Sequence, residues 1–154
     1  MKLPVFPSQI SRMIASLPSF PPSALFAFGC NRLAWNGLHE LDWSVVQGRR
    51  VCIHVSDLGL RLYLSVQADG LRAVKDHEAE VTFTASAADF ARLALRLEDP
   101  DTLFFNRRLL IEGDTDLGLT LKNLLDTVDL ESLAAAMPAG LGRPLLALRR
   151  HALA

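Results

Sequence analysis

Between residues 49 and 84 apolar side chains recur at every second position. Val51, Ile53 and Val55 fall on one side of an extended chain, and so do Leu60, Leu62, Leu64 and Val66. Val81 and Phe83 repeat the pattern with Thr82 and Thr84 opposite. A period of two is what a half-buried strand requires, because successive side chains point to opposite faces. Gly48, Gly59 and Gly70 stand at equal intervals of eleven residues, each just ahead of such an alternation. That punctuation predicts short antiparallel strands with glycine in their turns and a sheet with one strongly aliphatic face.

The period changes along residues 99–126. Leu109 and Ile111 alternate with Arg108, Leu110 and Glu112, predicting a strand that Gly113 closes. Asp114 then stands where a helix N-cap belongs, its carboxylate able to accept the orphan backbone N–H groups, and Asp116 suits the positive end of the helix dipole. Leu117, Leu121, Leu124, Leu125 and Val128 follow on one stripe, with Lys122, Asn123 and Asp126 largely outside it.

Upstream, Ile10, Met13, Ile14 and Leu17 form a short amphipathic pattern between Pro7 and Pro18, with Ser8 as its cap; this segment suits a lid or an anchor. Phe20-Pro21-Pro22-Ser23 reads as a linker. Residues 24–38 read as a helix with Leu25, Phe28, Leu33 and Trp35 on a broad apolar surface, ended by Gly37. Ser86 and Asp89 approximate a capping box for a helix lined by Phe90, Leu93 and Leu97, which Glu98-Asp99-Pro100 should stop. The chain is helical in character from Asp129 to Met137, breaks at residues 138–142, and resumes over residues 144–153. That last segment joins Leu145, Leu148 and Leu153 to Arg143, Arg149 and Arg150, a short basic amphipathic helix of the kind that lies on an anionic membrane surface.

With 154 residues the chain is long enough for one domain with a core and short for two. Half of the residues are apolar and mean hydropathy is +0.22, more grease than a closed core of this size needs. A net charge of −1 gives no general drive toward nucleic acid, so nucleic acid is not expected as a partner. Lys2 is the only charge before Arg12, and Pro4, Pro7 and Pro18 interrupt the segment, so no secretory leader is expected. No stretch reaches the roughly 18 consecutive apolar residues of a membrane span. A cytoplasmic protein, or one peripheral to the inner membrane, is the expectation.

Catalytic patterns are missing from the sequence. The serines lack a nucleophile-elbow context, and His39, His54, His77 and His151 make no HxH or HExxH spacing. Asp114 and Asp116 are explained by helix capping more simply than by a metal. Gly113, in EGDTDLG, belongs to neither a dinucleotide-binding nor a P-loop pattern. Cys30 and Cys52 read as small core hydrophobes. No metal and no cofactor are expected. Leu62, Leu64, Phe83, Phe90, Leu93, Phe104, Leu121 and Leu124 serve a closed core or a lipid cavity equally by residue type, and pattern alone favours the closed core.

Residues 49–65, RRVCIHVSDLGLRLYLS, and residues 78–114, EAEVTFTASAADFARLALRLEDPDTLFFNRRLLIEGD, resemble the sterol carrier protein type 2 domain family. The long phrases HVSDLGLRL and LFFNRRLLIEGDTDLGL are similar to its subgroup of bacterial ubiquinone biosynthesis accessory factors, and the resemblance covers residues 49–128. It implies an α+β fold: a twisted, antiparallel-rich five-stranded sheet covered by helices on one face, with helical extensions at both ends. The divisions expected are residues 1–22 as an N-terminal extension and linker, 23–128 as the domain, and 129–154 as a C-terminal extension.

The resemblance also implies a non-catalytic lipid-binding role in the oxygen-independent pathway. The eight apolar residues above would line a cavity for prenylated quinone intermediates or phospholipid. Ile10, Ile14, Leu17, Leu145, Leu148, Arg149 and Arg150 would gate it or meet the bilayer. The implied partners are ubiquinone biosynthesis enzymes, including peptidase U32-like iron–sulfur proteins. Two rival readings are a scaffold subunit with a closed core and, more weakly, an acyl-transfer or thioester enzyme.

Overall fold

The alternating segments form one five-stranded sheet in the computed structural model, which describes residues 7–154; the expectations placed on Lys2 and Pro4 lie outside the described residues. The strands are β1 (Arg50–Val55), β2 (Leu60–Gln67), β3 (Gly70–Ala73), β4 (Val81–Ala85) and β5 (Leu110–Gly113), in the order β3-β2-β1-β4-β5. Every neighbouring pair is antiparallel except the central β1–β4 pair, which is parallel. Gly48, Gly59 and Gly70 have φ of 76°, 63° and 143°, a region that strains any residue with a Cβ, so glycine is needed at these turns.

Register places the aliphatic sets together. Val51 lies opposite Leu64 and Val81, and Ile53 opposite Leu62 and Phe83, while Cys52, His54, Thr82 and Thr84 take the other side. On the aliphatic face one core cluster joins Val51, Val66 and Val81 to Trp43 and Val46 of a 3-10 turn and to Leu117 and Leu121 of a long C-terminal helix. A second joins Ala85, Leu103 and Leu109. Phe83 packs against both.

That long helix spans Thr115–Asp126, and Asp114 caps it, accepting the Leu117 N–H at 3.0 Å. Two of its positions depart from expectation. Lys122 is buried, 7% exposed, because its ammonium is held by Asp101. Leu125, expected on the buried stripe, is 42% exposed; it lies in the last turn, where Arg96 binds its carbonyl and that of Val128 instead of packing a side chain over it.

Several boundaries also move. A helix runs over Ser8–Ala15, with Pro7 and not Ser8 in the cap position. Phe20-Pro21-Pro22-Ser23 is no linker in its backbone conformation: it forms the first turn of a helix spanning Phe20–Leu33. Proline is tolerated there because the first N–H groups of a helix have no internal partner. A separate turn of helix spans Trp35–Leu38, and Gly37 lies inside it. A Cβ at Gly37 would stand 2.6 Å from Leu133 Cδ1, so glycine serves a close helix contact there and not a helix end.

Ser86 caps the next helix, Ala87–Ala94, by accepting the Asp89 N–H at 3.1 Å, but the Asp89 carboxylate goes to Arg92 and Arg108. This helix ends before Leu97, at a turn where Arg96 has φ of 54°. Glu98-Asp99-Pro100 then starts an element: Asp99 caps the helix Pro100–Phe105 and accepts the Thr102 N–H at 2.7 Å. Asp129 caps Leu130–Ala136 in the same way. The final helix spans Gly142–Leu153, two residues earlier than expected, with Pro144 in its first turn. In chain order the helices are therefore α1 (Ser8–Ala15), α2 (Phe20–Leu33), α3 (Trp35–Leu38), α4 (Ala87–Ala94), α5 (Pro100–Phe105), α6 (Thr115–Asp126), α7 (Leu130–Ala136) and α8 (Gly142–Leu153).

Candidate lipid-binding site

Helix α1 is fastened to the turn between β1 and β2. The Ser11 hydroxyl donates to the Asp57 carbonyl at 2.7 Å, and a Cβ at Gly59 would stand 2.9 Å from Ala15 Cβ. Between α1, the start of α2 and the first residues of β2 lies a cleft of about 530 Å³, within the range of small-ligand sites. Ile14, Leu17, Phe20, Pro22 and Leu60 give it an apolar wall; Arg61, Tyr63, Lys75 and His77 give it a polar end.

The polar end is ordered by specific contacts. His77 Nε2 lies 2.8 Å from Ser19 Oγ, and its ring is 5.1 Å from that of Tyr63. Lys75 Nζ sits 5.4 Å from the centroid of Phe20, a cation–π arrangement. Burial pushes the Tyr63 hydroxyl up from the ordinary phenol range, so it stays a neutral donor at physiological pH. Such a cleft can take an amphiphile, with its chain along Ile14, Leu17 and Leu60 and its oxygens facing Tyr63 and His77.

A second cleft, of about 540 Å³, is of different chemistry. Glu98, Asp99, Asp126 and Asp129 surround it together with Arg96 and Arg149. A ring of carboxylates and guanidiniums is poorly suited to an acyl or prenyl chain, whose burial gains come from apolar contact.

Neither cleft is lined by any of the eight apolar residues singled out in the sequence. Leu62, Leu64 and Leu121 are buried; Phe83 and Leu124 pack against the first core cluster, and Phe83, Phe90 and Leu93 against the second. Phe104 is half-buried, with its ring 5.6 Å from that of Phe105 in an edge-on contact. The structure thus brings Phe83, Phe90 and Leu93 together, and Phe83, Leu121 and Leu124, through the shared Phe83.

Of the terminal candidates, Ile14 and Leu17 line the first cleft, while Ile10 is exposed on α1. On α8, Leu145 is half-buried, and Leu148 and Arg150 are exposed. Arg149 is tied to Glu131 of α7 at 3.0 Å, so that cation is engaged within the protein. Tyr63, Lys75 and His77 escaped sequence reasoning. They are distant in the chain from Ile14 and Phe20, and no spacing announces a site assembled by folding.

Among the described residues no three His, Cys, Asp or Glu side chains converge as metal ligands. Burial pushes both the Cys30 and the Cys52 thiol up, which keeps each in its less reactive protonated form. Cys52 is buried as expected, whereas Cys30 is only half-buried.

Residues 41–126 match the SCP-2 sterol transfer family, and the chain belongs to that family. It is 44% identical over 108 residues to the ubiquinone biosynthesis accessory factor UbiT of Escherichia coli (strain K12), across 68% of this chain and 62% of that protein. The protein of the same name from Escherichia coli O157:H7 matches with the same figures. The chain therefore spans somewhat less than two thirds of the length of these relatives. In fold it is similar to the ubiquinone synthesis protein UbiJ-SCP2, with a TM-score of 0.53 and 18% identity, covering 71% of this chain and 96% of that one. The mixed α/β architecture with an open five-stranded sheet is the one expected from the resemblance.

Proposed function

We propose that the protein is a non-catalytic lipid-binding accessory factor of oxygen-independent ubiquinone biosynthesis. In this reading it binds prenylated quinone intermediates, or phospholipid, and presents them to the biosynthetic enzymes, peptidase U32-like iron–sulfur proteins among them. The working site is cytoplasmic or at the inner membrane. Residues 23–128 are the lipid-binding domain and residues 1–22 and 129–154 extensions to it, the N-terminal extension lending Ile14, Leu17, Phe20 and Pro22 to the cleft wall. The observation that carries the reading is the 44% identity to UbiT over 108 residues.

The geometry suggests a route for the ligand. Leu60, in the cleft wall, is on the same sheet face as Leu62, which neighbours Ile53 and through it Phe83. A ring held by Tyr63 and His77 would leave its tail beside Leu60, from where the aliphatic face leads inward through Leu62 and Ile53 to Phe83, which packs against both core clusters. Each buried CH₂ contributes about 0.8 kcal/mol, so even partial enclosure of a prenyl chain amounts to several kcal/mol. Affinity then follows enclosed area more than head-group identity.

One observation favours the scaffold reading: seven of the eight apolar residues, all but the half-buried Phe104, pack into core clusters or are buried, and none of the eight opens onto a cleft. Native mass spectrometry with organic extraction separates the two. A quinone precursor or phospholipid at near-stoichiometric occupancy, lost in Leu60→Asp and Phe83→Asp variants that circular dichroism finds folded, supports lipid presentation. A bare protein that takes up no added prenyl lipid yet co-purifies with the enzymes would make it a scaffold.

A further inference from the structure

The two edges of the sheet are finished differently. Helix α2 lies along β3, where Asn31 bonds the backbone of Leu71. At the other edge, β5 has no such cover among the described residues. The Ser56 N–H donates to the Ala85 carbonyl at 2.9 Å, so the odd-numbered residues of β4 bond β1, and Thr82 and Thr84 bond their partners Glu112 and Leu110. Backbone groups alternate sides along a strand. Those of Ile111 and Gly113 therefore point outward, away from the sheet.

An open edge on a short strand that carries a charge is ordinarily a guarded one. Apolar surface around this edge favours a partner instead. Phe105, just before the strand, is 79% exposed, the most of any large apolar side chain among the described residues, and Leu110 is 43% exposed. Leu119, next to the Gly118 that packs on Ile111, is exposed as well. Clustered exposure of this kind marks an interaction surface.

Charge order identifies the occupant. Arg107 and Arg108 precede the strand, Glu112 lies in it, and Asp114 and Asp116 follow. Asp89 and Glu98 hold Arg108, and Arg49 holds Asp114. Arg107, Glu112 and Asp116 are exposed and make no ion pair among the described residues. Arg107 has φ of 57°, a conformation that suits glycine better, so the turn itself does not call for an arginine. A second copy laid antiparallel, with the two-fold axis at Ile111, pairs Ile111 with its own equivalent through two hydrogen bonds and sets Leu110 against Glu112. The same register brings Arg107 to Thr115 of the second copy, beside Asp116. A parallel partner would set arginine on arginine and glutamate on glutamate, which is repulsive.

We propose that β5 is a self-association edge that joins the sheets of two copies of this chain into one, with Phe105 and Arg107 of each copy meeting the start of α6 in the other. The inference goes beyond the lipid-presentation reading and stands without it. The cleft beside β2 lies on the far side of β1 and β4 and stays free in such a pair.

The test is sedimentation velocity of the full chain across a concentration series, at low and high salt, with hydrogen exchange on the same samples. The expected result is a monomer–dimer equilibrium weakened by salt, with protection gained at high concentration in residues 109–114. Arg107→Glu should raise the dimer dissociation constant about tenfold, since a two-fold interface counts each substitution twice. The double variant Arg107→Glu/Asp116→Lys, which exchanges the two charges, should restore it. Both sites are exposed, so the variants should fold, and circular dichroism checks that they do. Each of four results would overturn the proposal: a chain that stays monomeric at roughly 1 mM, a dimer that folded Arg107→Glu leaves unchanged, a charge-exchanged variant no tighter than the single one, or a dimer whose protection falls outside β5.

Discussion

Asn31 closes the outer edge of the sheet on Leu71. Its side-chain amide donates to the Leu71 carbonyl and accepts the Leu71 N–H, both at 2.8 Å, so one side chain of α2 stands in for a missing strand beside β3. Ser23 works alongside it, its hydroxyl accepting the Tyr63 N–H at 3.0 Å. An unpaired edge is a template for aggregation. Asn31→Ala should lower stability by about 1–3 kcal/mol, two hydrogen bonds' worth, and raise concentration-dependent association. Urea titration and light scattering on the same variant check both. Unchanged stability would mean that water replaces the amide without cost.

Gly118 sits where α6 approaches the sheet most closely. A Cβ there would clash with Ile111 Cγ2 and stand 3.0 Å from Val81 Cγ2. Alanine is the better helix former by about 1 kcal/mol, but overpacking a filled contact costs about 1–3 kcal/mol. Gly118→Ala is therefore expected to be net destabilising in chemical denaturation, opposite to what helix propensity alone gives.

Lys122 and Asp101 should respond unequally. The lysine is buried and the aspartate largely exposed. Asp101→Ala leaves a buried ammonium with only Asn123 Oδ1, at 3.0 Å, and is expected to cost about 1–3 kcal/mol. Lys122→Met leaves a carboxylate that water can solvate and fills the same space with apolar atoms, so it should be close to neutral. Equal losses in a denaturant titration of the two variants would refute the asymmetry.

Acid should unfold the protein through its capped and paired aspartates. Asp99, Asp114 and Asp129 are held below the usual carboxylate range, first by the Thr102 N–H, the Leu117 N–H and the Ser132 hydroxyl respectively. For Asp89 burial pulls the value up, but hydrogen bonds from Arg108, Ser86 and Arg92 outweigh it and the net direction is down. A depressed folded value means that the unfolded chain binds protons first. The stabilisation is therefore present above the unfolded carboxylate pKa of about 3.9 and lost as pH falls through the folded values. Unfolding free energy should be level above about pH 5 and drop below about pH 4. Asp89→Asn should flatten that drop, and a variant with the wild-type acid limb would exclude Asp89 as a contributor.

What the sequence revealed, and what it hid, follows from the range of each interaction. Asp114 and Ser86 were legible because a cap bonds residues two or three positions away. The faces of β1, β2 and β4 were legible because a period of two allows no other assignment. Phe20-Pro-Pro-Ser misled because proline opens helices as readily as it interrupts them, and Pro100 for the same reason. The burial of Lys122 depends on Asp101, 21 residues earlier, and no local pattern contains that. Leu25 and Phe28 announced an apolar helix but not its orientation, since the side of α2 against β3 needed Ser23, Ala27 and Asn31. The cleft was hidden because its walls come from three separated stretches of chain.

The parallel pairing of β1 with β4 also bears on the order of assembly. On one side of it, β1, β2 and β3 follow one another through tight turns; on the other, β4 and β5 are joined through α4 and α5. Each half can form from near neighbours, but the seam between them needs the chain to return across the whole β2–β3 excursion before any contact rewards it. Closure of that seam is the expected slow step of folding. Trimming Val51 or Val81, which face each other across it, should then slow refolding more than it hastens unfolding in denaturant-jump kinetics.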